Sequence, residues 1–102
     1  MTRFRVRLTQ EAEKDLLRLF DFLIEQDIST ADRAKVAIAK AFEVLEVFPF
    51  SCRKAIGGRG NPFLRELIIP FGNSGYVALF EIEASRNVTI LAVRHQRQED
   101  YY

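Results

Sequence analysis

The stretch LRELIIPFGNSGYVALFEIEASRNVTILAVRH, residues 64–95, holds three apolar runs of strand length: Leu64–Phe71, Tyr76–Glu83 and Val88–Arg94. They are rich in the β-branched and aromatic side chains that suit a pleated surface. Gly72-Asn73-Ser74-Gly75 and Ala84-Ser85-Arg86-Asn87 separate them, short and made of turn-forming residues. Runs joined this tightly form an antiparallel meander. Tyr76-Val77-Ala78-Leu79-Phe80 is apolar at odd and even positions alike, so it is expected to be a central strand. Pro70 cannot donate to a ladder and puts its own strand near an end or on an edge.

Upstream, Phe4, Val6 and Leu8 alternate with Arg3, Arg5 and Arg7, which predicts a half-buried strand over 3–8 with a basic outer face. Thr9 then offers an N-cap, with Glu11 and Glu13 in the first turn beyond it. Ala12, Leu16, Leu19, Phe20 and Leu23 follow at helical spacing, so a helix runs to about Gln26. Ser29-Thr30-Ala31-Asp32 has the pattern of a capping box and predicts a second helix, with Ala34, Ile38, Ala41, Leu45 and Phe48 on its apolar stripe. Pro49 stops it. The short break implies an antiparallel helical hairpin, and Ala34, Ala37 and Ala41 allow close approach. Residues 51–62, SCRKAIGGRGNP, show no period and read as a basic loop. The expected fold is therefore a single α+β domain over residues 1–102, ordered β-α-α-β-β-β, with the hairpin on one face of the sheet.

Composition sets bounds on function. At 102 residues and 48% hydrophobic, the chain can build one core. No stretch approaches the roughly 20 apolar residues of a membrane span, and the arginine-studded start has no signal-peptide character. Cys52 is the lone cysteine, which excludes a disulfide framework and a cysteine metal site and points to the cytoplasm. Net charge is +1, unevenly distributed: residues 11–50 carry five basic and nine acidic groups, whereas 51–75 carry four basic groups against Glu66. No cofactor or metal is expected.

Four segments carry a resemblance: VRLTQEAEKDLLRLFDFL (6–23), LEVFP (45–49), LRELIIPFGNSGYVALFEIE (64–83) and ILAVRHQRQEDYY (90–102). In this order and at these distances the chain resembles the RelE/ParE toxin family of bacterial type II toxin–antitoxin modules. The resemblance implies the fold just described, a cognate antitoxin in a hetero-oligomer, and one of two activities. RelE-like members cleave messenger RNA on the ribosome; ParE-like members poison DNA gyrase without known nuclease chemistry. The long helices and the RHQR ending look closer to ParE. A family member whose toxicity has decayed is a third reading.

A metal-free ribonuclease needs a base, cations to stabilise the phosphorane and an acid for the leaving oxygen. Under that reading the catalytic candidates are Arg65, His95, Arg97 and Lys54. If the last strand stays regular past Val93, His95 and Arg97 share one face and Arg94 takes the other. Under the gyrase reading the target-binding candidates are Arg94, His95, Arg97 and Tyr101, with Arg53, Lys54 and Arg59 from a nearby loop. Leu17 and Ile24 widen the apolar stripe of the first helix and are candidates for antitoxin binding.

Overall fold

The computed structural model describes residues 3–96. Its elements are β1 (Arg5–Leu8), α1 (Gln10–Gln26), α2 (Ile28–Val47), one 3-10 turn (Pro49–Ser51), β2 (Arg53–Lys54), β3 (Leu64–Phe71), β4 (Ser74–Ile82) and β5 (Asn87–His95). The expected order is present with one addition. Arg53 and Lys54, read as loop, pair antiparallel with Glu66 and Arg65. All strands join one sheet in the order β1-β5-β4-β3-β2. β4 is the central strand, and Gly75 through Phe80 are buried without interruption. β1 lies parallel to β5, Arg5 beside Asn87 and Leu8 beside Ile90. Parallel neighbours need a crossover connection, which here contains the helical hairpin. Among the described residues, no helix is long and apolar enough to cross a membrane.

Thr9 caps α1, its hydroxyl accepting from the Ala12 N–H at 3.1 Å. The second helix starts before the expected capping box. Asp27 is its N-cap, accepting from the Thr30 N–H at 3.2 Å and the Thr30 hydroxyl at 2.8 Å. A charged acceptor makes the stronger cap, and the Thr30 hydroxyl bond holds the Asp27 carboxyl below its ordinary pKa. The Asp27 N–H also closes α1, donating to Leu23 O at 2.8 Å. One residue therefore makes the whole hairpin turn. At the other end of α2, Phe48 does not join the buried stripe. It sits past the last helical residue with φ −127° and ψ 51°, and 59% of it is exposed.

The hairpin packs on one face of the sheet, enclosing Leu45, Ile69, Phe80, Val88 and Ile90 almost completely. Ala12 and Ala34 have no exposed surface, which lets the helices sit close to the strands and to each other. A smaller apolar group, Ala55, Leu79 and Ala92 with Leu64 and Leu91, lies on the opposite face. Pairing between β4 and β5 steps from Phe80–Ile90 to Leu79–Ala92, so Leu91 is an extra residue in β5. Beyond this bulge Val93 and His95 face the helices and Arg94 alternates to the other side.

β1 stops at Leu8, and α1 takes over as the neighbour of β5. Thr9 N–H donates to Ile90 O at 3.0 Å. Further along α1, Asp15 accepts the Val93 N–H on Oδ2 at 2.9 Å. The same oxygen meets the Arg94 guanidinium, and Oδ1 meets Arg18. Asp15 is only 5% exposed. A carboxylate is stable at that depth only when charged or polar donors surround it, as three do here.

Two stability predictions follow from this frame. Gly75 has φ +121°, and a Cβ there would lie 2.2 Å from Ile69 O, whereas Gly72, at φ +61°, has open space around it. By denaturant titration Gly75→Ala should lose at least about 3 kcal/mol and Gly72→Ala about 1 kcal/mol. Asp15→Ala should lose about 3–5 kcal/mol by leaving Arg94 and the Val93 N–H unmatched. A double-mutant cycle with Arg94→Ala should give a coupling of about 1–3 kcal/mol; additive losses would mean that the pair is incidental.

Candidate functional site

Where α1 passes the ends of β4 and β5, a cleft of about 570 Å³ opens, lined by Asp15, Arg18, Leu19, Phe22, Leu23, Tyr76, Val93, Arg94 and His95. Tyr76 forms part of its wall, stacked on Phe71 at 6.0 Å between ring centroids. The His95 ring meets Tyr76 edge-on at 5.8 Å, and its Nε2 is 3.1 Å from the Ser74 hydroxyl. Burial pushes the Tyr76 phenol above its ordinary pKa. Phe22 stands 61% exposed beside the opening. This arrangement suits an apolar group that carries a polar or anionic end, with rings along the wall and cations at the rim.

Not all of the candidate cations point outward. Arg94 is drawn to Asp15 and its side chain is 27% exposed. Arg65 is a brace: its Nε donates to Pro62 O at 2.7 Å, and one terminal nitrogen donates to Phe50 O at 3.0 Å and Cys52 O at 2.8 Å. It ties the 3-10 turn and the loop to β3. Arg53 pairs with Glu66 at 2.9 Å, and the Glu66 side chain is 3% exposed. Lys54 and Arg59 are exposed.

Neither expected grouping with the loop or β3 is assembled. Arg65 stands opposite Phe80, whereas His95 stands opposite Tyr76, four residues away along β4. That separates the two by about 13 Å along the sheet and about 10 Å across it. Lys54 is one strand further still. The loop with Arg53, Lys54 and Arg59 is likewise not near the end of β5, because β2 is the opposite edge of the sheet. Arg97 and Tyr101 lie outside the described residues. Leu17 and Ile24, 62% and 50% exposed, fall seven residues apart on one side of α1, away from the core.

The sequence reading missed Asp15, Arg18, Phe22 and Tyr76 as parts of this site. Asp15 had a signal: it is an acid at helical spacing between Ala12 and Leu19, on the stripe that must be buried. An acid there requires a donor from the sheet.

The family model described as the ParE toxin of the type II toxin–antitoxin system parDE matches residues 6–100. Toxin RelE1 of Caulobacter vibrioides is 33% identical over 82 residues, 80% of this chain and 83% of that protein. Among solved structures, the chromosomal ParDE system from P. aeruginosa superimposes with a TM-score of 0.70 at 17% identity, covering 90% of this chain and 95% of the other. The RelBE2 toxin–antitoxin complex from Mycobacterium tuberculosis gives 0.55 at 22% identity, covering 92% and 99%. At those identities the two structures speak to the fold alone. With nearly the whole length matched by the family model and a curated toxin related over most of the chain, the protein belongs to the ParE/RelE family of type II toxin–antitoxin toxins.

Proposed function

We propose that this chain acts by binding and not by catalysis, as a ParE-like toxin that inhibits DNA gyrase and is held inactive by a cognate antitoxin. The observation that carries this reading is the placement of Arg65. The ribonuclease reading puts that guanidinium on a phosphate beside His95, whereas it is fastened to three carbonyls several rungs away. The match to the ParE family model supports the same choice.

The effector surface is the end of β5 and the tail beyond it. His95, Arg97 and Tyr101 are its contact groups. Arg94, next to His95 in the chain, is tied to Asp15 and anchors the end of β5. Arg53, Lys54 and Arg59, at the far edge, form no part of this surface. The antitoxin covers the exposed apolar side of α1, with Leu17 and Ile24 as contacts.

The test is a pair of reactions with the purified chain. In a gyrase supercoiling assay it should inhibit, and in a coupled translation reaction it should leave messenger RNA intact. Cleaved message with unaffected supercoiling would establish the ribosome and mRNA as targets instead, and no effect in either would leave a decayed toxin. Arg97→Ala should weaken gyrase inhibition at least tenfold while antitoxin affinity stays within about twofold. Leu17→Glu with Ile24→Glu should do the reverse. Equal inhibition by Arg97→Ala and the parent would remove the tail from the effector surface.

A further inference from the structure

A second cleft, of about 550 Å³, lies at the opposite end of β5, lined by Arg3, Phe4, Arg5, Ser85, Arg86 and Asn87. Eight residue steps of strand separate it from His95, about 27 Å. Among the described residues, no acidic one lines it. Arg3 is paired with Glu46 at 3.0 Å. Arg5 and Arg86 have no acidic partner among the described residues.

Arg86 occupies this place against a backbone preference. Its φ is +64°, a conformation natural to glycine or asparagine. The turn is held there by Arg86 N–H to Glu83 O at 3.0 Å and by Arg5 N–H to Arg86 O at 2.9 Å. Its guanidinium lies over the Phe4 ring, 5.9 Å from the centroid. Phe4 in turn meets Phe50 edge-on at 6.4 Å, and Phe50 meets Phe63 at 6.3 Å. Phe50 and Phe63 are 50% and 48% exposed. Phe4, in the wall of the cleft, therefore begins a row of rings that ends at Phe63, with the Arg65 guanidinium lying over Phe50 at 5.5 Å from its centroid.

The geometry points to a binding site for single-stranded nucleic acid, with Arg5 and Arg86 on the phosphodiester backbone and the Phe63 ring, at the end of the row, as a stacking surface for bases. Guanidinium groups clasp phosphate oxygens in pairs. Basic grooves flanked by accessible rings are the way proteins hold unpaired strands without reading sequence. An acidic peptide would use the arginines but has no need of the ring. A duplex keeps its bases stacked on one another and cannot use it.

The test is fluorescence anisotropy of a labelled twelve-nucleotide oligothymidylate titrated with the purified chain. Binding should weaken steeply with salt. Arg5→Gln with Arg86→Gly should weaken it at least tenfold at low salt and reduce the salt slope by about 1.4, for two phosphates lost. Arg86→Gly relieves the positive φ, so the thermal midpoint of that variant shows that the fold is retained. Phe63→Ala should weaken binding with the salt slope unchanged, and His95→Ala should leave it as it was. Equal binding of oligouridylate fits contacts to backbone and ring faces. Absence of salt-dependent binding, an arginine double variant that binds like the parent, or tighter binding of a duplex or of oligoglutamate would each overturn the assignment.

Discussion

The Asp15 carboxylate, buried against the open edge of β5, is the contact on which the arrangement of this molecule depends. β1 is too short to flank β5 along its whole length, and past Ile90 the edge would face solvent with its amides unmatched. α1 supplies the substitute. Thr9 meets the edge first, and Asp15 then takes the Val93 N–H. Burying a charge is costly, and the two arginines beside it offset that penalty. The helical hairpin is therefore tied to the sheet by charge as well as by its apolar stripe.

This view divides the arginines into two classes. Arg65, Arg53 and Arg94 have well-defined protein partners, which are carbonyls, Glu66 and Asp15 respectively, although the Arg53 side chain stays 54% exposed. They build the fold. Arg5 and Arg86 have no such acid among the described residues, and Arg18, though touching Asp15, keeps 67% of its side chain exposed. Surface recognition falls to this second class. Sequence alone cannot make that division, because a guanidinium in a basic loop and one bracing a turn look alike until the carbonyls around them are placed.

The meander, the hairpin and the caps were legible because each rests on local chemistry. Leu64–Phe71 emerged with the expected bounds, and Thr9 caps α1 as its position implied. The misses have physical reasons. Asp27 took the cap from the Ser29 motif because it also terminates the preceding helix, a double duty visible only when both helix ends are known. β2 was hidden because two residues carry no period; they are strand only through their partners on β3. The parallel placement of β1 and the distance between His95 and Arg65 are matters of strand order, which no local pattern encodes. For that reason the sequence singled out Arg94 and His95, which line the cleft, but not the residues that stand around them.

Amide hydrogen exchange at Val93 tests the central claim most directly. If Asp15 replaces a neighbouring strand there, the Val93 N–H should exchange as slowly as the amides of β4, opening only when the domain unfolds. Exchange at the rate of a solvent-facing strand edge, with β4 still protected, would show that α1 does not hold β5 and would contradict the account.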